Sequence, residues 1–185
     1  MIGVYLSGTG NTKHCVEKLV RLMDDTALCT PLEDVQIQTL LEKEDTIVLG
    51  YPTQFSNAPF MVCDFINKNS SLWKGKKLFI INTMGLFSGD GTGCSARLLK
   101  KYGAEILGGM QIKMPDSVCD SKLLKKSVEE NRQIIESADK RIEKAAKQMK
   151  QRKYPKEGLS FFAHITGLFG QRLWFIVRQR DTLIN

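Results

Sequence analysis

Ile2-Gly3-Val4-Tyr5-Leu6 is a short apolar run that breaks at once into Ser7-Gly8-Thr9-Gly10-Asn11-Thr12. The run predicts a buried strand over Ile2–Leu6, and the glycine-rich segment predicts the turn out of it. Val16, Leu19, Val20 and Met23 then recur at helical spacing, so Thr12–Met23 reads as an amphipathic helix. A turn that ends on a helix N-terminus has a chemical consequence. The first N–H groups of a helix have no intrahelical partners, and the helix dipole places partial positive charge there. Ser7, Thr9 and Thr12 add hydroxyls, Gly8 and Gly10 permit close backbone approach, and Asn11 tolerates unusual φ. Together they predict a site for a phosphate monoester. The dinucleotide fingerprint G-x-G-x-x-G is not met, because position 13 is Lys, and the G-K-[ST] ending of a Walker A loop is absent.

Outward from this unit, the β-turn-α pattern repeats. Ala27–Leu32 reads as a second strand and Val35–Glu44 as a short helix. Thr46–Gly50 is the clearest buried strand, followed by a loop over Tyr51–Ala58 and a helix that Pro59 opens from its first turn. Lys77–Asn82 is a fourth strand, Thr83–Gly93 a glycine-rich loop, Ser95–Tyr102 a helix closed by Gly103, and Glu105–Met114 holds the last strand. Continuous apolar strands alternating with helices predict an α/β fold, a parallel sheet with helices on both faces. In such sheets ligands sit outside the carboxyl ends of the strands. The polar loops after the first, third and fourth strands therefore converge on one edge. No internal repeat or low-complexity segment interrupts the pattern.

The last third is organised differently. Leu124, Val128, Ile135, Ala138, Ile142, Ala145 and Met149 form one helical stripe, predicting a helix over Ser121–Arg152 that Pro155 stops. Such a helix is about 48 Å long at about 1.5 Å per residue, against a radius of gyration of about 16 Å for a domain of this size. It must overhang, break or pack on a further surface. Gly158–Gln171 then carries no Asp, Glu, Lys or Arg, and Arg172-Leu-Trp-Phe-Ile-Val-Arg178 follows. This apolar tail predicts an interdomain contact or self-association, ahead of folding back on the sheet; contact with a membrane ranks last.

Length and composition bound the function. The chain has 185 residues, 42% hydrophobic and 25% charged, enough for one domain with a self-sufficient core and some residues to spare. Its formal net charge is +7. The excess is concentrated from Lys140 onward, where Glu143 and Glu157 are the only acids before Arg180, so a nucleic-acid face is not expected. The five cysteines, Cys15, Cys29, Cys63, Cys94 and Cys119, form no C-x-x-C pair. A zinc ribbon, an iron–sulfur cluster and a disulfide framework are poorly supported. The N-terminus does not read as a signal peptide, and no stretch reads as a membrane span. A reduced, cytoplasmic protein is expected.

Weaker candidates fail on placement. Cys15-x5-Arg21 has the spacing of a phosphatase loop, but Cys15 falls inside the first helix. Asp24-Asp25 ends a helix rather than a strand, so it reads as a capping turn. His14 and His164 have no partner nearby in sequence, and Cys94 and Cys119 read as small loop or core residues.

The segment Ser7-Gly8-Thr9-Gly10-Asn11-Thr12 resembles the FMN-phosphate loop of the flavodoxin family in both composition and position. Gly50-Tyr51-Pro52-Thr53-Gln54-Phe55-Ser56-Asn57-Ala58-Pro59 is similar to the family's second flavin loop. Asn82-Thr83-Met84-Gly85-Leu86-Phe87-Ser88-Gly89-Asp90-Gly91 is similar to the third. The resemblance implies a flavodoxin-like three-layer sandwich with a five-stranded parallel sheet in the order 2-1-3-4-5. It implies that Ser7, Thr9, Gly10, Asn11 and Thr12 hold the FMN phosphate. Pro52, Thr53, Gln54, Phe55, Ser56 and Asn57 would then line one side of the isoalloxazine, and Thr83, Met84, Gly85 and Phe87 the other. Tyr51, Phe55 and Phe87 are each placed to stack on the flavin. Glu157-Gly158-Leu159-Ser160-Phe161-Phe162 and Gly167-Leu168-Phe169-Gly170-Gln171-Arg172-Leu173-Trp174-Phe175 resemble the connector of bacterial flavodoxin–ferredoxin fusion proteins. This implies an FMN-binding unit over 1–153, a connector-like extension over 154–185 with no domain of its own, and a ferredoxin or other iron–sulfur redox partner. Three functions are consistent with these residues: an FMN electron carrier, an FMN-dependent NAD(P)H:quinone-type reductase, and a flavin-free interaction module.

Overall fold

In a computed structural model of the chain, residues 1–116 and 126–160 are described. Five strands form one sheet: β1 (Ile2–Tyr5), β2 (Cys29–Pro31), β3 (Thr46–Pro52), β4 (Lys77–Met84) and β5 (Glu105–Lys113). Their order is β2-β1-β3-β4-β5 and every pairing is parallel, as expected. Parallel neighbours need a crossover, which helices supply here: α1 (Asn11–Met23), α2 (Ile37–Lys43), α3 (Phe60–Lys68) with a 3-10 turn at Ser70–Trp73, and α4 (Gly91–Lys101). A last helix, α5 (Val128–Lys150), follows β5. Strand order reverses between β1 and β3, which marks the crevice where ligands bind in open α/β sheets.

Alternation along the strands builds two cores. Ile2, Val4, Ile47, Leu49, Leu78 and Ile80 pack under Leu41, Val62, Ile66, Trp73 and Leu99 of the α2–α4 layer. On the other face, Val48, Phe79, Ile81, Met110 and Ile112 pack against α1 through Val16 and Leu19 and against α5 through Ile142 and Met149. Each such fully buried side chain contributes roughly 1.5–3 kcal/mol of transfer free energy. Gly50 lets α1 approach the sheet: a Cβ there would lie 2.2 Å from Val16 Cγ2.

Several boundaries depart from the sequence expectations. β3 and β4 run on to Pro52 and Met84, α4 begins at Gly91 rather than Ser95, and Pro59 is the N-cap of α3 rather than a first-turn residue. α5 begins at Val128, not Ser121, because Ser127 forms a capping box. The Glu130 N–H donates to Ser127 Oγ at 3.2 Å and the Ser127 N–H donates to Glu130 Oε2 at 2.8 Å. At 23 residues the helix is about 34 Å long, and it packs on α1 and β5. Polar contacts fix this seat. His14 Nε2 lies 2.7 Å from Asp139 Oδ1, and Lys18 Nζ lies 2.9 Å from both Asp139 and Glu143. Partial burial works against the Asp139 carboxylate, but hydrogen bonds from His14 and Lys18 outweigh it and hold the group below the usual carboxylate range.

After α5 the chain turns back along the outer edge of β5. The Gly109 N–H donates to Pro155 O at 2.8 Å, and the Glu157 N–H donates to Gly109 O at 2.9 Å. Gly108 makes the approach possible, since a Cβ there would lie 2.3 Å from Pro155 O. Arg141 holds Glu157 through both carboxylate oxygens at 2.8 Å. The described residues of the extension thus cover an edge that would otherwise present unpaired backbone groups. Ser121, Leu124, Cys119, His164 and the tail from Phe161 lie outside the described residues.

Candidate functional site

The carboxyl ends of β1, β3, β4 and β5 open onto one cleft of about 570 Å³. Its floor is the turn between β1 and α1. Gly10 is the N-cap of α1 with φ 91°, gives no side-chain cap, and is followed by no acid in the first helical turn. Ser7 Oγ accepts the Lys13 N–H at 3.2 Å, which folds the turn over the helix start. A Cβ on Gly8 or Gly10 would meet nothing within 4 Å, so both border open space. Buried Thr12 ties the turn to β4, its Oγ1 lying 2.8 Å from Thr83 Oγ1. Asn11 Nδ2 ties it to the chain after β5 by donating to Pro115 O at 2.8 Å.

A second turn rises from the end of β3. The N–H groups and carbonyls of Gln54 and Asn57 bond reciprocally at 2.9 Å, and the residues between them, Phe55 and Ser56, have φ of 48° and 59°. These are the signs of φ of a type I′ turn, a shape that favours Asn-Gly. On Phe and Ser the left-handed backbone costs about 1–2 kcal/mol per residue. Such strain persists only where the surroundings over-determine it. Here Ser56 is fully buried and its carbonyl accepts the Asp90 N–H at 3.1 Å. Asp90 is itself buried and held by both Nη1 and Nη2 of Arg97. Asn57 Oδ1 is buried with no hydrogen-bond partner.

Below that turn, Thr53 Oγ1 donates to Asn82 Oδ1 at 2.6 Å and the Thr53 N–H donates to Thr83 O at 2.7 Å. Tyr51 is buried, with its hydroxyl on Gly91 O at 2.8 Å and on Ser95 Oγ. Burial pushes that hydroxyl's pKa up, while the Ser95 contact partly opposes the shift.

Of the residues singled out in the sequence, Ser7, Thr9, Asn11, Thr12, Pro52, Thr53, Gln54, Thr83, Met84 and Gly85 line the cleft. Gly10 contributes the bend. Phe55, Ser56, Asn57 and Phe87 lie outside the lining; Phe55 is 53% exposed at the turn tip and Phe87 47% exposed in the next loop. Sequence reasoning missed Phe60 and Met61 at the start of α3, and Met114, Pro115 and Asp116 after β5. Among the described residues, the aromatic ring that borders the cleft is Phe60, 80% exposed, while Tyr51 is sealed in the core. A fourth loop was foreseeable, because β5 ends on the same edge as β1, β3 and β4. Among the described residues the lining carries no Lys or Arg, and Asp116 is its charged member.

The other candidates have structural roles. Cys15 is fully buried, and Asp24 caps the end of α1 by accepting the Thr26 N–H and hydroxyl. Among the described residues no cluster of His, Cys, Asp or Glu could hold a metal, and no helix is long and apolar enough to cross a membrane.

No family model and no curated protein matches the sequence. Solved structures do resemble it. The two-electron reduced flavodoxin of Megasphaera elsdenii is 24% identical, with a TM-score of 0.55, over 76% of this chain and 99% of that one. A flavodoxin from the domain Archaea is 17% identical, with a TM-score of 0.55, over 80% and 97%. The Fusobacterium nucleatum flavodoxin bound to flavin mononucleotide is 17% identical, with a TM-score of 0.53, over 81% and 96%. At such identities the likeness is architectural, and together with the strand order it establishes that this chain has the flavodoxin-like fold.

Proposed function

We propose that the protein binds FMN in this cleft and transfers electrons, exchanging them with an iron–sulfur partner such as a ferredoxin. One observation carries the reading: α1 starts on Gly10 with no side-chain cap and no acid in its first turn, and it opens into a 570 Å³ cleft. Cofactor sites span about 300–1,000 Å³. The donors suit a phosphate held by backbone and hydroxyls, since among the described residues no Lys or Arg lines the cleft. Open space at Gly8 and Gly10 leaves room for that phosphate beside the backbone.

In this reading Ser7, Thr9, Gly10, Asn11 and Thr12 hold the phosphate. The isoalloxazine lies between Pro52, Thr53 and Gln54 on one side and Thr83, Met84 and Gly85 on the other, with Phe55, Ser56, Asn57 and Phe87 outside the lining. Phe60 adds a ring at the mouth. Bound FMN supplies the one- and two-electron chemistry, and the chain orients it and limits water around it. The solved Fusobacterium nucleatum protein of the same fold holds flavin mononucleotide, which supports the choice of cofactor. Residues 1–153 form the flavin unit, 154–185 its extension, and the setting is cytoplasmic. The net charge of +7 suits an acidic redox partner.

The test is the visible spectrum of the purified protein with and without added FMN, followed by reduction. A bound flavin that a reduced ferredoxin reduces cleanly, with no turnover of NAD(P)H and quinone, is the expected result. Rapid NAD(P)H:quinone turnover would replace the carrier reading with a reductase. A protein that takes up no FMN would leave an interaction module.

A further inference from the structure

The acids and the bases of α5 are neutralised unequally. Asp139 and Glu143 face α1, where His14 and Lys18 pair with them, and Glu136 pairs with Arg132. Another side of the helix, toward β5 and the returning chain, borders a groove made of two hollows of about 270 and 220 Å³. Arg141 lines both hollows. Buried Met110, Ala138 and Ala145 give the groove an apolar floor. Lys113, Lys126 and Lys144, all exposed, stand at its rim.

The acids that border this groove are already engaged. Glu157 accepts Arg141 Nη2 at 2.8 Å on both oxygens and the Gln111 N–H at 2.9 Å, while Arg141 Nη1 donates to Gln111 O at 2.9 Å. The Glu130 carboxylate accepts the Ser127 N–H at 2.8 Å in the capping box. Among the described residues, neither Lys113 nor Lys144 forms an ion pair, so both ammonium groups are open to a carboxylate from outside. An apolar floor inside a charged rim is the anatomy of a protein interface. A nucleic-acid backbone asks instead for an unbroken basic stripe, which Glu130 and Glu157 interrupt.

We propose that the groove between α5 and β5 docks a carboxylate-bearing protein surface, that of the acidic redox partner. Apolar side chains of the partner rest on the floor, and its carboxylates meet Lys113 and Lys144, while Arg141 stays with Glu157. Lys113 is followed by Met114, Pro115 and Asp116, which line the cleft, so a partner seated here stands beside the β5 wall of the cleft. Charges placed at a rim steer encounter and fix orientation more than they add affinity. The partner's redox identity rests on the electron-transfer reading above; the groove and its charge do not depend on the flavin.

The probe is an acidic ferredoxin, titrated into the full chain with and without FMN at low ionic strength, with the contact mapped by backbone amide NMR. The expected map centres on Lys113, Arg141 and Lys144. Lys113→Glu with Lys144→Glu should weaken binding at least about tenfold and leave FMN uptake unchanged. Lys43→Glu with Lys100→Glu, exposed positions on α2 and α4 with the same change of net charge, should shift it by less than about twofold. Equal weakening by the two pairs, a map centred elsewhere, a ferredoxin that does not bind, or duplex DNA that displaces it from these residues would overturn the proposal. Failure of docking with FMN still bound would sink this inference alone, whereas groove docking by a chain that takes up no FMN would sink the flavin reading and leave the groove standing. The map of the unaltered chain decides the matter even if a variant fails to fold.

Discussion

The two turns that flank the cleft solve the same backbone problem in opposite ways. In the first, the left-handed conformation falls on Gly10, where it carries no steric cost. In the second it falls on Phe55 and Ser56, where it costs about 1–2 kcal/mol each. The first turn is therefore specified by its own residues. The second is held by tertiary contacts: the buried Ser56, the Asp90 N–H and the Arg97 grip on Asp90. A locally specified turn suits a fixed cradle for an anion. One held in strain stays sensitive to what lies beneath it.

The largest expected effect attacks the clamp of the second turn. Arg97→Ala leaves the buried Asp90 carboxylate without its guanidinium and should cost about 2 kcal/mol in urea unfolding, less than a fully buried pair because Arg97 is half-exposed. A loss under about 0.5 kcal/mol, the range of ordinary surface changes, would mean that the turn holds itself. Swapping the backbone solutions gives effects of opposite sign. Gly10→Ala should destabilise by about 1–2 kcal/mol, while Phe55→Asn with Ser56→Gly should stabilise by about 1 kcal/mol. Two changes of the same sign would erase the contrast.

The seat of α1 is tested by Asp139→Asn, with an expected cost of about 1 kcal/mol at neutral pH. The Asp139 carboxyl has a folded pKa below its unfolded value, so its contribution is present above the unfolded value of about 3.9 and fades as pH falls through the lower folded one. The gap between wild type and variant should therefore close below about pH 4. A gap that persists into acid would point to packing instead. The smallest effect comes from the helix ends, which repeat the comparison. α4 closes on Gly103 at φ 85°, whereas α5 closes on Arg152 at φ 60°, its N–H bonded to Met149 O at 2.8 Å. Arg152→Gly should stabilise by about 0.5–1 kcal/mol, read as a small rise in Tm.

Most of the architecture was legible because strands and helices announced themselves by period. The failures have local causes. α4 was expected to start at Ser95 because Gly91 and Gly93 are poor helix formers. Close packing overrides that propensity: a Cβ on Gly91 would lie 2.6 Å from Asn82 Oδ1, and one on Gly93 would lie 2.4 Å from Asp90 Oδ1. The first turn was read correctly in place and form, since its chemistry is written in adjacent residues. For the second, nothing in Gln54-Phe55-Ser56-Asn57 signals a type I′ turn, because its usual Asn-Gly is missing. His14 found its carboxylate in Asp139 only through tertiary packing.

The central claim is that the first turn is an anion cradle serving a flavin. Parallel fluorescence titrations of the full chain with FMN and with riboflavin, which lacks the phosphate, test it most directly. The account predicts one-to-one quenching by binding of FMN and at least about a hundredfold weaker binding of riboflavin, equivalent to about 2.7 kcal/mol placed on the phosphate. Equal affinity for the two, or no quenching of FMN at all, would contradict it.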